Sequence, residues 1–198
     1  MPESWLLKDL LRRFGPTPPR AYPEHYPRDL VQRGRTRDGR RYRIRPVRPD
    51  DAERLRAGFA TLSPETVYRR FHYALNALSD DALRYLTHLD YQQHLALIAL
   101  DEGGGTVGVA RYYLPEDAEF AEAAVVVGDA WQGQGVGSAL LKLLAQAAET
   151  RGIAGFEGYV QRDNLLMRRM VERSGYRLHE DPVDDATLRV WFRFDDWV

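Results

Sequence analysis

Two features of the sequence could do chemistry. The first is the run Gln132-Gly133-Gln134-Gly135-Val136-Gly137-Ser138. Before it stand a small-residue, β-branched stretch at 121–127 and the turn Gly128-Asp129-Ala130-Trp131. After it, Val136, Ala139, Leu140, Leu143, Leu144, Ala147 and Ala148 recur at i, i+3, i+4, i+7 and i+8, one face of a long helix. Strand, glycine loop and helix aim backbone N–H groups and a helix N-terminus at an anion, usually a phosphate. The glycines let the backbone approach that ligand without a Cβ in the way. The second feature is Glu122, an acid in an otherwise apolar strand, with Ala124 and Val126 on its face and Ala121 and Ala123 beside it. Such a carboxylate is costly unless it is used or solvated through a cleft.

The spacing narrows the phosphate ligand. The loop lacks the Lys-Ser/Thr ending of a P-loop, and it is not a dinucleotide-binding fingerprint with an acidic residue closing the next strand. Without cysteine there is no disulfide framework, thiolate metal site or cysteine nucleophile, and no metal is expected.

The elements that must position these residues can be read along the chain. Its 198 residues, 44% hydrophobic, suffice for one domain with a good core. Residues 1–48 carry 13 Lys/Arg against five Asp/Glu, whereas the remainder is acidic. A basic arm on an acidic body suggests docking or an interaction tail. The arm has neither a basic helical stripe nor interleaved stacking aromatics, so nucleic acid is disfavoured as a partner. No apolar run approaches the ~18 residues of a membrane span, and the start does not read as a signal peptide. The expectation is a cytoplasmic protein without a membrane partner.

Residues 1–40 read as an arm: an amphipathic helix from Trp5 to Phe14, a proline-rich run from Pro16 to Pro27, and a turn at 36–40. Residues 41–198 read as the domain, with 41–48 as its first strand. Asp50 is the expected cap of a first helix, Ser63-Pro64 starts a second and Ser79 caps a third. A hairpin at 94–114 turns on Gly103-Gly104-Gly105. After the strand–loop–helix unit come a strand at 155–161, a helix opened by Asn164 and closed by Gly175, and strands at 176–178 and 187–194. The fold class is α+β, one mixed and largely antiparallel sheet flanked by helices.

The loop matches Gln-x-x-Gly-x-Gly, and strand, loop and element order together resemble the GNAT acetyltransferase superfamily over residues 41–195. More specifically, residues 43–52, Leu62 to Phe71 and Leu86 to Tyr91 resemble the acetyltransferase domain of bacterial protein lysine acetyltransferases, enzymes that control acyl-CoA synthetases. Neither the large nucleotide-binding-like region nor the cyclic-nucleotide module that can accompany that domain has a counterpart in the sequence, which bears on regulation and partner choice.

The resemblance implies acetyl-CoA as cosubstrate. Its diphosphate would lie on the run Gln132, Gly133, Gln134, Gly135, Val136, Gly137 and Ser138. Its pantetheine would pair with the backbone of Val125, Val126 and Val127, where an amide would also polarise the thioester carbonyl. Asn164 would hold the pantetheine arm while capping its helix. Arg168, Arg169 and Arg173 could meet the ribose phosphate or form a solvated basic face. The family's general-acid tyrosine is replaced by Val171, leaving Tyr159, water or unassisted departure for the thiolate. Glu122 is the expected general base, with Glu116, Glu119 and Glu157 as lesser candidates; His72, His88 and His94 receive no role. The expected reaction is transfer of acetyl to an amine, foremost a lysine on a protein substrate, by direct attack in a ternary complex. A small amine such as a polyamine or antibiotic, and a non-catalytic acyl-CoA-binding module, are the alternatives. Oligomeric state is left open.

Overall fold

The computed structural model describes residues 25–198; the Trp5–Phe14 stretch and most of the proline-rich run lie outside the described residues. Eight strands form one sheet in the order β1-β2-β3-β4-β5-β6-β8-β7. They are β1 (Gln32–Arg35), β2 (Arg41–Pro46), β3 (His94–Asp101), β4 (Thr106–Tyr113), β5 (Phe120–Val127), β6 (Gly155–Gln161), β7 (His179–Pro182) and β8 (Thr187–Arg193). Every neighbouring pair is antiparallel except β5 and β6. This is the α+β architecture expected from the element order.

The centre of the sheet is covered on both faces. Leu95, Leu97 and Ile98 of β3 are fully buried, which explains a continuous apolar run in place of an alternating one. Helix α4 (Val136–Thr150) covers one face through Val136, Leu140, Leu144 and Ala148. Gly108 of β4 permits this close fit, since a Cβ there would lie 2.9 Å from the Val126 carbonyl oxygen and 3.2 Å from Leu140 Cδ1. Strand alternation turns Val109, Arg111 and Tyr113 to the opposite face. That face carries α1 (Ala52–Ala60), α2 (Pro64–Phe71) and α3 (Asp80–Thr87), with Arg111 Nη2 donating to the Leu86 carbonyl of α3 at 3.0 Å. The last helix, α5 (Leu165–Glu172), packs beside α4.

Ser63 and Ser79 cap α2 and α3 as expected, accepting from the Thr66 and Ala82 amides. Three expectations change. The cap position of α1 belongs to Asp51, not Asp50, because a 3-10 turn at Pro49–Asp51 precedes the helix. Asp51 is fully buried, paired with Arg45 through two contacts of 2.6 Å, and accepts the Arg48 amide at 2.9 Å. The sheet begins before residue 41, with β1 lying on β2; Gly34 makes room there for the Tyr42 ring. Near the end, residues 176–178 are not a strand. Tyr176 forms a single bridge with Trp197 and stacks on Phe192 at 4.9 Å, while the strand is His179–Pro182.

Candidate active site

The site is a fork in the sheet. Strand β5 is paired with β4 from Glu122 to Val127, but with β6 only from Phe120 to Glu122. At the branch point Gly158 approaches the Ala123 carbonyl so closely that a Cβ would sit 2.9 Å from it. Beyond, the backbone groups of 123–127 that point away from β4 have no strand partner. They border a cleft of about 440 Å³, whose walls include Glu122 to Val127, Gly133, Gly135, Ser138 and Asn164.

The glycine loop closes one end. Gly133 and Gly135 have φ of +70° and +92°, a region that favours glycine. Gly135 is the N-cap of α4 and supplies no capping side chain, so the first-turn N–H groups remain available to an anion. Gly137 lets α4 settle on its neighbours, since a Cβ would meet Met170 S at 3.0 Å. Two side chains of the run are committed elsewhere. Gln134 turns outward, its Oε1 accepting the Asp38 amide at 3.3 Å, and Val136 is fully buried; neither lines the cleft. Gln132 lines it, but its Nε2 donates to Thr66 Oγ1 and the Val127 carbonyl, both at 3.1 Å.

Sequence reasoning missed what braces the loop. The turn at 36–40 grips it from outside: the Arg37 amide donates to Gln134 O, Arg37 Nη1 to Gly133 O, and Arg40 Nη2 to Ala130 O. The Arg40 guanidinium also lies 4.0 Å from the Trp131 ring centroid. Asp129 ties the loop to α2. Its carboxylate accepts Ser63 Oγ at 2.6 Å, the Ser63 amide at 2.9 Å and Thr66 Oγ1 at 2.8 Å. Burial pushes the Asp129 carboxyl up, and these hydrogen bonds outweigh it, holding the group below its ordinary value. Pairs separated by more than 60 residues leave no spacing signal, although Arg37 and Arg40 were visible as part of the basic arm.

Glu122 stands at the branch point, paired in register with Tyr113 on β4 and Glu157 on β6. Burial raises its carboxyl to about 7; the Arg70 guanidinium opposes the rise and Glu157 adds to it. The lesser candidates are committed or exposed. Glu157 is held by Arg189, Glu119 by Arg193 at 2.6 Å, and Glu116 is solvent-exposed. Asn164 is 8% exposed, lines the cleft, and accepts the Met167 amide at 3.2 Å as the cap of α5. Val171 is buried, whereas Tyr159 borders the cleft and is 43% exposed. His72 reaches across the fork to the Tyr159 carbonyl at 3.2 Å, and burial lowers its pKa. Arg168 is paired with Glu180, while Arg169 and Arg173 line the cleft. Among the described residues no group of three or more His, Asp or Glu could hold a metal ion.

A splayed sheet bordering a glycine loop at a helix N-terminus defines the GNAT class of acyl-transferring folds. The family model for the acetyltransferase (GNAT) domain matches residues 41–177, and the chain belongs to that family. The family is one of acetyltransferases, whose members use acetyl-CoA. Among proteins it is similar to is acetyltransferase Pat of Mycolicibacterium smegmatis, 36% identical over 141 residues, 70% of this chain and 42% of that protein. The chain therefore spans less than half the length of that relative. An acetyltransferase of Pseudomonas aeruginosa is 34% identical over 76% of this chain and 82% of its own length. The crystal structure of the GNAT domain of S. lividans PAT superimposes with a TM-score of 0.79 at 34% identity, covering 86% of this chain and all of that one.

Proposed function

We propose that the chain acetylates a lysine ε-amine on a folded protein of the acyl-CoA synthetase type, by direct attack in a ternary complex, with Glu122 as general base. The observation that carries this reading is the placing of Glu122: half-buried at the fork, in no ion pair among the described residues, with a carboxyl raised to about 7. A general base works best with a pKa near the operating pH.

Acetyl-CoA supplies the thioester-activated acetyl group. Residues Gly133, Gly135 and Ser138 would bind its diphosphate through backbone amides at the start of α4. The free edge of 125–127 and Asn164 would orient the pantetheine, and an edge amide would polarise the thioester carbonyl. Glu122 takes the proton from the attacking amine nitrogen as the C–N bond forms and the C–S bond breaks. Buried Val171 has no proton to give, so departure relies on the low basicity of a thiolate, whose unperturbed pKa is ~8.5.

The polyamine alternative requires an acidic acceptor side. Here the face shared by Glu122 and the three helices also carries Arg70 and Arg111, which repel a polycation. The protein reading draws further support from the resemblance across residues 43–91, which build that side. The test is steady-state kinetics on a purified acyl-CoA synthetase, spermidine and free lysine. The synthetase should be preferred by orders of magnitude in kcat/KM; efficient turnover of the small amines with none on synthetases would overturn the proposal.

A further inference from the structure

The turn between β1 and β2 precedes the family domain, which begins at residue 41, yet it touches the glycine loop directly. The Thr36 amide closes the turn on the Arg40 carbonyl at 2.9 Å, and Gly39 takes a φ of +91°. Its contacts with the loop come from one side. The Arg37 amide donates to the Gln134 carbonyl and Arg37 Nη1 to the Gly133 carbonyl, both at 3.2 Å. In a trans peptide the N–H opposes the C=O, so the Gln134 and Gly135 amides point away from the turn. Arg37 is itself exposed and borders the cleft.

Its charge has no carboxylate to meet. Asp38, the next residue, is taken by Arg40 at 2.8 Å, and hydrogen bonds from Arg40 and Thr36 hold its carboxyl below the ordinary value. The acids of the cleft wall are engaged elsewhere. Glu65 pairs with Arg69, Glu157 with Arg189, Asp129 accepts from Ser63 and Thr66, and Glu122 faces Arg70. Among the described residues Arg37 forms no ion pair. One of its N–H groups goes to Gly133, which leaves most of the guanidinium fork to other acceptors. Such a fork matches phosphate oxygens bidentately, and the uncapped N-terminus of α4 stands beside it.

We propose that Arg37 is a binding residue for a phosphate group of CoA, so that the cofactor site extends beyond the family domain to the β1–β2 turn. The proposal rests on the acetyl-CoA reading of the cleft. The diphosphate and the 3′-phosphate share this chemistry, and truncated ligands tell them apart.

CoA, dephospho-CoA and pantetheine are titrated by calorimetry into the full chain and into Arg37→Met, Arg37→Glu and Arg40→Met. The Arg37 side chain is exposed in a surface turn, so its variants should fold. Arg37→Met should weaken CoA about tenfold, the scale of one hydrogen bond to a charged group, and Arg37→Glu should weaken it further. Pantetheine, which has no phosphate, should bind both variants as it binds the unaltered chain. A loss kept with dephospho-CoA assigns Arg37 to the diphosphate; a loss confined to CoA assigns it to the 3′-phosphate. Added salt should shrink the loss by screening. Arg40→Met removes the Ala130 contact and the Trp131 stacking and should affect the three ligands equally. Equal weakening of pantetheine and CoA by Arg37→Met overturns the proposal, because the side chain then only braces the loop. Unchanged CoA affinity in both Arg37 variants overturns it too, while leaving the acetyl-CoA reading intact. An unaltered chain that binds no CoA overturns both.

Discussion

Replacing Glu122 by Gln keeps shape and polarity while removing the proton acceptor, and the structure assigns two opposite consequences to it. A lysine ammonium with an ordinary pKa of ~10.4 is neutral in about one molecule in 2,500 at pH 7, a deficit of about 4.6 kcal/mol in available nucleophile. Loss of the base should lower kcat by ~10²–10⁴ while acetyl-CoA affinity stays near normal. With the carboxyl at about 7, the wild-type rate should rise through neutral pH as Glu122 ionises, and this acid limb should flatten in the variant.

Stability should move the other way. The Glu122 carboxyl is raised from 4.5 to about 7 in the fold. Between those values the native state holds a proton that the unfolded chain has released, so wild-type stability falls as pH rises through this window. The full cost at higher pH is roughly 3 kcal/mol. Glu122→Gln escapes it, and should match wild type near pH 4.5 but exceed it by about that amount near pH 8. Rate profiles and urea denaturation at both ends of the range measure the two effects. A variant that keeps most of its kcat at pH 7, or gains no stability between the two pH values, contradicts the assignment of Glu122 as a desolvated base.

Gly135 has room for a side chain but a φ of +92°, so Gly135→Asn, which tolerates that backbone, should fold and bind acetyl-CoA weakly. Gly135→Glu should fold yet show no binding by calorimetry, because its carboxylate occupies the diphosphate position; unchanged affinity would remove the loop from the site. Asp129→Ala strips three hydrogen bonds from Ser63 and Thr66. It should cost about 1–3 kcal/mol and raise KM for acetyl-CoA as the loop loosens, both measurable on one preparation. Arg45→Met removes the closer of two arginine partners of buried Asp51, leaving Arg54 at 3.6 Å, which should cost about 3 kcal/mol and lower Tm by on the order of 10 °C.

The elements at the centre of the sheet were legible because burial stamps a period on the sequence. The run at 155–161, the serine caps and the α4 stripe all matched the structure. The two strands misplaced, β1 and β7, are the two edges of the sheet. Edge strands such as Gln-Arg-Gly-Arg and His-Glu-Asp-Pro bury neither face and therefore carry no alternation. The same logic divides the site. Glycines with positive φ and an acid in an apolar strand are local anomalies that can be read in order. The Arg37 and Arg40 brace and the Asp129 tether depend on residues brought together by topology, which leaves no mark in the order of the sequence. Val136 was legible as part of the α4 stripe and is buried, whereas the Gln134 contact with Asp38 left no such mark.

Direct transfer to a protein lysine is tested most plainly by intact-mass spectrometry of a single-turnover mixture of the chain, acetyl-CoA and an acyl-CoA synthetase. The chain has two lysines, Lys8 and Lys142, among its 28 Lys and Arg residues, so self-modification is easily seen. One acetyl mass on a single lysine of the synthetase, none on the chain, and no transfer by Glu122→Gln on the same timescale is the predicted result. An acetylated chain that then passes its group on, or a synthetase left unmodified while spermidine is consumed, contradicts it.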